Sequence, residues 1–198
     1  MNDDIKRKIG YEDLIEQLLI LSPYGKERLN KLELFTSKEE LIKEYQLIEI
    51  FINNLSKVKQ IEIVISKLKN ILPTINNCEK GFVLNIVELY EVKMQAIQMD
   101  KLKELITNNF DEYFYLEDCS KIISLLSDRG KITYDFYLYD SYSEKLRNYR
   151  LDKRKIEKEI NNRNEKDIDN LQEQRAKIVS LEKAEEEKAV VVITGSLY

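Results

Sequence analysis

The chain has 198 residues, a formal net charge of −4, and 34% charged against 43% hydrophobic residues. This length suits one domain or two small ones, and the composition is typical of neither a disordered nor a membrane-spanning chain. Because the sequence contains no histidine, catalysis by a histidine base and metal sites with histidine ligands are both excluded. No apolar run approaches the roughly 20 residues that a spanning helix needs, so we expect no membrane partner.

The cysteines and the N-terminus bear on the cellular compartment. Cys78 and Cys119 are isolated and form no C-x-x-C pair, which is typical of a reducing compartment. Residues 1–8 alternate in charge, and no apolar signal region follows them, which argues against secretion. We therefore expect a cytoplasmic protein in which both thiols are buried and structural.

Few helix breakers and many good helix formers predict an all-α fold, a multi-helix bundle. There are five Gly and two Pro, and isoleucine recurs at spacings of three and four, which is the helical period. The first predicted helix covers residues 11–21. Ser22 then caps a short second helix that begins with Pro23, where the missing N–H costs nothing.

The next predicted helix opens on a capping box formed by Ser37 and Glu40. Its apolar face has five members: Leu41, Tyr45, Ile48, Ile52 and Leu55. Another helix is predicted over residues 60–72, ending before Pro73, because the residue before a proline disfavours helical geometry.

The middle of the chain is predicted as further helices separated by glycines. Gly81 marks a turn or a helix start, and residues 83–106 have the apolar pattern of one or two buried helices. Residues 116–126 predict one more helix, closed by a C-terminal glycine cap at residues 128–130. We therefore expect residues 1–130 to form a helical core domain.

The one β-like stretch covers residues 131–140, which are rich in aromatic and β-branched residues on roughly alternating faces. It is too short to be a sheet of its own, so we interpret it as an aromatic linker or small hairpin. The densest aromatic group of the chain lies in and around it: Tyr113, Phe114, Tyr115, Tyr134, Phe136, Tyr137, Tyr139 and Tyr142. Such a group is typical of packing where a linker docks on helices, and its functional interpretation is base stacking or a protein interface.

Residues 141–198 are predicted as an elongated helical arm. Up to residue 188 the segment has no Gly or Pro, which predicts one long helix of roughly 70 Å or an antiparallel hairpin with a turn at residues 161–164. Four residues fit a short heptad, coiled-coil seam: Ile168, Leu171, Ile178 and Leu181. Residues 190–198 are apolar and end abruptly, so we expect the chain to be a fragment of a longer protein.

No stretch of the sequence predicts a catalytic site. Gly25-Lys26-Glu27 resembles the end of a phosphate loop, but the earlier Gly is missing and Glu27 replaces the required Ser or Thr. The paired carboxylates are typical of solvated helix faces, since catalytic carboxylates need a pocket that shifts their pKa. We therefore expect no enzyme activity, no cofactor and no metal in this chain.

One basic stretch is the candidate for nucleic-acid contact. It has six cations around a single acid, Asp152: Lys145, Arg147, Arg150, Lys153, Arg154 and Lys155. Such a stretch is typical of a solvated helix face, and its functional interpretation is contact with phosphates. Acidic residues dominate soon after it, and the net charge of −4 gives nucleic-acid binding no independent support.

Three short motifs follow, in order, the pattern of one known family. Residues 21–29, followed by Leu32, resemble the S-x-x-G-K-x-x-L start of its core domain, and an acidic helix comes next in both. Residues 139–150 resemble the D-x-x-S-x-x-L-x-x-I-R pattern that begins its lever helix. Residues 181–190 resemble the returning lever, where acids precede a hydrophobic position. This family is MutS, and the resemblance, over about residues 10–193, is strongest to the branch with anti-recombination roles.

The resemblance implies the non-catalytic core and lever of a MutS-like DNA mismatch repair or recombination ATPase, which couples nucleotide state to DNA interaction. It implies double-stranded DNA as a partner, with phosphate contacts from four residues: Arg147, Arg150, Lys153 and Arg154. It also implies a homodimer of the full-length parent. ATP and magnesium would belong to an ATPase domain that follows the lever and lies outside this chain.

The chain departs from the family in two respects. Only residues 161–169 separate the two lever helices, so a DNA clamp is missing or reduced to a turn, and the mismatch-reading domain is absent. The alternative function is a helical protein-interaction scaffold without a nucleic-acid role, which offers the seam of residues 141–188 to a partner coiled coil.

Overall fold

A computed structural model gives the three-dimensional structure of the chain. It describes residues 7–32, 35–106, 114–128, 134, 136–162 and 168–197, and of Asn30 only the backbone. Within these ranges the chain consists of helices and connecting loops without a strand, which confirms the predicted all-α class. None of the helices in these ranges is long and apolar enough to cross a membrane.

The chain divides into two compact units, each built from two separate stretches of sequence. The first unit takes residues 1–70 and 101–115, and the second takes residues 71–100 and 116–198. This grouping differs from the predicted segments 1–130, 131–140 and 141–198. Residues 71–100, which were predicted as core, share a unit with the predicted arm because they pack against its base.

Four helices make up much of the first unit: α1, Tyr11–Glu16; α2, Pro23–Asn30; α3, Lys38–Asn53; and α4, Leu55–Ile65. The two predicted serine caps are present. The Oγ of Ser22 accepts the N–H of Gly25 at 3.0 Å, and the Oγ of Ser37 accepts the N–H of Glu40 at 3.1 Å. Each bond satisfies a donor that the first helical turn otherwise leaves unpaired.

Two of the predicted helices end earlier than expected. The first helix ends at Glu16 rather than at residue 21, and Leu19 beyond it is exposed, so no core contact extends the helix there. The helix predicted to run up to Pro73 ends at Ile65, and the proline lies in the first turn of the next helix. A proline fits that place because the first turn needs no N–H donor.

The described helices of the second unit are α5, Leu72–Glu79; α6, Ile86–Ile106, which passes into the first unit beyond Asp100; α7, Ser120–Leu125; α8, Glu144–Asn162; and α9, Ile168–Leu197. A Schellman motif ends α5, since Gly81 N–H bonds the Cys78 carbonyl and Phe82 N–H bonds the Asn77 carbonyl. Gly81 has φ 79°, a left-handed conformation that glycine adopts without strain.

The core of the second unit lies where α6, α7 and the ends of α8 and α9 meet. Its buried side chains are Leu84, Leu89, Leu126, Leu138, Leu146 and Ile193. Val190 and Leu197 pack against this core, so part of the apolar run at the end of α9 is buried there, while Val191 and Val192 are exposed. α7 begins at Ser120, later than predicted, and residues 129 and 130 of its predicted glycine cap lie outside the described residues.

α8 and α9 pack antiparallel, so the hairpin, and not the single long helix, is the correct alternative. As the chain advances along α8, the contacted residue of α9 moves backwards: Ser143 with Glu185, Arg150 with Glu182, and Glu157 with Arg175. α8 ends at Asn162 and α9 begins at Ile168, while residues 163–167 lie outside the described ranges. We call the pair α8 and α9 the helical arm.

The predicted seam of the arm is wrong at Leu181. Leu171 is buried and Ile178 is half-buried, whereas Leu181 is 49% exposed. The buried side of α9 continues instead through Glu182 to Ala189, which keeps the alternating spacing of three and four residues. The carboxylate side chain of Glu182 therefore occupies the seam position that the apolar pattern of the sequence assigns to Leu181.

Candidate functional site

The four residues predicted to contact DNA phosphates all lie on α8, but they have different surroundings. Arg150 and Lys153 face α9, and the Arg150 side chain is only 17% exposed. Arg147 is half-exposed and lies 3.7 Å from Glu144, and Arg154 is exposed. The helical period accounts for the split, because residues seven apart, such as Arg147 and Arg154, lie on the same side of a helix.

Arg150 connects both arm helices to the aromatic linker. Its Nε lies 3.3 Å from Glu182 Oε1, and its Nη2 lies 2.7 Å from Glu186 Oε1, both on α9. Its Nη1 donates to the Leu138 carbonyl at 2.6 Å and to Asp140 Oδ1 at 2.7 Å. Such charge-assisted hydrogen bonds are the strong ones, so Arg150 determines how α8, α9 and the linker are aligned.

Lys153 joins the same group of charges through Glu182, whose Oε2 lies 2.8 Å from the lysine Nζ. Burial by itself lowers the pKa of the Arg150 guanidinium, but hydrogen bonds and charges from Asp140 and Glu186 outweigh it and raise that pKa. We call these five residues, Asp140, Arg150, Lys153, Glu182 and Glu186, the arm cluster. With three carboxylates against two cations, the cluster has no excess positive charge to offer a phosphate.

Ser143 connects the start of α8 to α9. Its Oγ accepts the N–H of Leu146 at 3.3 Å, which caps α8, and its hydroxyl donates to Glu185 Oε1 at 2.8 Å. That hydrogen bond lowers the pKa of the Glu185 carboxyl, burial opposes the shift, and Lys188 and Lys145 add to it. The Ser143 hydroxyl therefore caps α8 and also contacts α9.

Tyr139 is the buried centre of the aromatic linker. The ring centroids of Tyr137, Tyr142 and Phe136 lie 4.4, 5.6 and 6.0 Å from its own. The Tyr142 hydroxyl donates to the Leu125 carbonyl at 2.9 Å, and burial raises the pKa of that phenol. Phe136 and Tyr142 pack against the core of the second unit, as the packing interpretation of the aromatic group expects.

The other members of the aromatic group have different surroundings. Tyr115 and Tyr134 are exposed, and Phe114 contacts Phe51 in the first unit with ring centroids 6.2 Å apart. Tyr113 lies outside the described residues.

Sequence reasoning missed Lys93, a fully buried lysine on α6. Its Nζ donates to the Tyr139 hydroxyl at 3.3 Å and lies 5.7 Å from the centroid of the same ring and 6.0 Å from that of Phe136. Hydrogen bonding and cation–π attraction hold the linker on α6. The sequence signal for its burial is helical spacing, because Lys93 stands four residues after Leu89 and three before Ala96, both of which are buried.

An apolar cavity of about 610 Å³ lies between α5, α6 and α7 in the second unit. Both cysteines line it, and Glu79 is the charged residue of its lining. Burial, and then the Glu79 charge, raise the pKa of the Cys78 thiol, which disfavours a reactive thiolate. Across the part of the chain that the structure describes, no group of carboxylates and thiols could hold a metal ion.

Comparison of the chain with protein families, with curated proteins and with solved structures finds no match. The arm, the cluster at its base and the sequence motifs that supply their residues are therefore the features that bear on function.

Proposed function

We propose that the chain is the non-catalytic core and lever segment of a MutS-like DNA mismatch repair or recombination ATPase, coupling nucleotide state to DNA interaction. One observation carries the proposal: the two motifs that resemble the lever lie against each other. Asp140 and Arg150 of residues 139–150 and Glu182 of residues 181–190 belong to one ion cluster. Residues of two separate motifs that resemble the family pattern therefore contact each other in the arm.

The remaining residues of the first lever motif also act at the base of the arm. Ser143 caps α8 and bonds Glu185, and Leu146 is fully buried in the core. A helix resists compression and bends only at breaks. An arm whose base is held by caps, apolar burial and ion pairs can therefore transmit a displacement from one end to the other.

The proposal assigns the chemistry to a part of the parent outside this chain. ATP and magnesium would bind an ATPase domain that follows α9, and the parent would form a homodimer in the cytoplasm. This chain would supply mechanical coupling without bond chemistry, and its DNA contacts would come from the exposed side of α8.

The first test is to read the source gene beyond the codon for Tyr198. The proposal expects the frame to continue through helical sequence into G-x-x-x-x-G-K-[ST], the loop that binds nucleotide phosphates. A frame that stops directly after Tyr198 would overturn the ATPase assignment.

The second test measures coupling in the full-length protein. Glu182→Ala loosens the base of the arm, so we expect stimulation of ATP hydrolysis by duplex DNA to fall while basal hydrolysis is kept. Glu173→Ala, on an exposed side of α9, is the matched control. Unchanged stimulation in Glu182→Ala would contradict a lever role.

A second candidate function, a helical protein-interaction scaffold without a nucleic-acid role, is favoured by a different observation. α3 has no buried residue although half of its residues are apolar, and exposed apolar faces mark interaction sites. Duplex binding at low salt separates the two candidates, because only the lever predicts a salt-dependent affinity.

A further inference from the structure

We propose that α3 is a docking site for a basic amphipathic helix of a partner protein. The surface concerned, which we call the α3 stripe, consists of Leu41, Tyr45, Ile48 and Ile52. Each of these side chains is between 38% and 61% exposed. This inference concerns the first unit and does not depend on the lever role proposed above.

The spacing of the α3 stripe is that of a coiled-coil seam. Its members follow one another at four, three and four residues, so they form one narrow line along the helix. Leu55 continues the same spacing at the start of α4 and is exposed as well. The stripe runs for about 17 Å along α3 at 1.5 Å per residue, which matches a partner helix of a few turns.

The other side of α3 already packs within its own unit. Leu47, Ile50 and Phe51 are half-buried, and the Phe51 ring contacts Phe114. A helix that buries one apolar face normally presents polar residues on the opposite face. α3 presents a second apolar face instead, so the stripe is not needed to hold the helix in place.

The charges beside the stripe decide which partner it suits. Glu44 and Glu49 flank it on opposite sides, both are exposed, and neither has an ion pair within the described part of the chain. Positions that flank a helical seam select partners by charge complementarity. A helix with Lys or Arg beside its own apolar seam would therefore pair with both carboxylates.

A second copy of this chain fits the stripe less well. A copy would bring the same two glutamates beside the seam and no lysine or arginine at the flanking positions, where Ile42 and Phe51 stand. Self-association would leave the carboxylates uncompensated in every orientation. The charge pattern therefore favours a different, basic partner.

The test uses two fluorescent helical peptides that share a Leu/Ile seam and differ only in their flanking residues, Lys in one and Glu in the other. We expect the full chain to bind the Lys peptide at least about tenfold more tightly in anisotropy titrations, since like charges oppose association. The double variant Glu44→Lys/Glu49→Lys should reverse this preference. The control Glu62→Lys/Glu104→Lys makes the same charge change at exposed positions away from the stripe. This control should keep the preference for the Lys peptide.

Loss of binding in Ile48→Ser, with the helical circular dichroism spectrum unchanged, would support the stripe as the contact surface. Equal affinity for the two peptides, binding of neither, or indifference to the Glu44→Lys/Glu49→Lys change would overturn the proposal. So would a dimer in sedimentation that Ile48→Ser dissociates, because a second copy would then be the occupant.

Discussion

At the scale of single residues, the placement of a few charges decides what the arm can do. Arg150 looks in sequence like one of several cations available to DNA, yet it contacts Asp140, Glu182 and Glu186. An arginine among several carboxylates mainly fixes their relative positions, because its N–H donors form a rigid, planar set that matches carboxylates at defined places.

Removing the shared carboxylate should therefore be costly. We expect Glu182→Ala to lower the free energy of unfolding by about 3 kcal/mol, because it leaves Arg150 and Lys153 partly buried without their common partner. Urea unfolding followed by circular dichroism measures the change. The control Arg147→Ala removes the exposed pair with Glu144 and should cost less than about 1 kcal/mol. Equal losses in the two variants would contradict the assigned role of the cluster.

Ser143 gives a prediction about pH. The folded pKa of Glu185 lies below its ordinary value, so its stabilising contribution is present above the unfolded pKa and is lost as the pH falls through the folded one. Ser143→Ala should cost about 1 kcal/mol from the lost cap, with a further loss near neutral pH that shrinks in acid. Urea unfolding at neutral pH and at about pH 3 tests this. A deficit independent of pH would contradict the role of the Ser143–Glu185 bond.

At the scale of elements, the arm is defined by the line along which its two helices meet. The alternation of three and four residues on α9 passes through Glu182 rather than Leu181. Since the arm cluster fills that position, the seam combines apolar contacts with ion pairs, which specify register more strictly than apolar contacts alone.

The corrected seam can be tested by truncating two leucines. Leu171→Ala should destabilise the protein by about 2 kcal/mol, because a buried side chain is lost and a cavity remains. Leu181→Ala should change stability by no more than about 0.5 kcal/mol, as expected at an exposed position. Differential scanning calorimetry compares the two variants directly. A larger effect from Leu181→Ala would restore the seam predicted from sequence.

At the scale of the whole molecule, the question is how much of the basic stretch remains available to DNA. Arg150 and Lys153 are held in the arm cluster, while Arg147 and Arg154 lie on the exposed side of α8. The fold thus divides the four residues predicted to contact phosphates into an internal pair and an external pair.

This division predicts the salt dependence of duplex binding. Each phosphate contact contributes a slope of about −0.9 in log affinity against log salt, so the external pair gives about −1.8 and all four residues would give about −3.6. Fluorescence anisotropy over a salt series measures the slope. The variant Arg147→Gln/Arg154→Gln should abolish the salt dependence of duplex binding. The control Lys43→Gln/Lys59→Gln, in the first unit, should leave that dependence unchanged. A slope near the larger value would mean that the cluster opens on DNA.

The sequence by itself determined the features that depend on neighbouring residues. The all-α class, the Ser22 and Ser37 caps and the glycine turn at Gly81 each rest on contacts within a few positions along the chain. Propensity and capping are local, and they can therefore be predicted without knowing the fold.

Only the tertiary structure decided the features that join distant residues. The antiparallel hairpin, the burial of Glu182 and the ion pairs of Arg150 depend on partners between 10 and 42 residues away, and the contact of Lys93 with Tyr139 spans 46 residues. A charged side chain can face solvent or a buried partner with the same local sequence, because its free energy depends on the charges and the solvent around it. The packing of α8, α9 and the linker on the core therefore determines which of these charged side chains are buried.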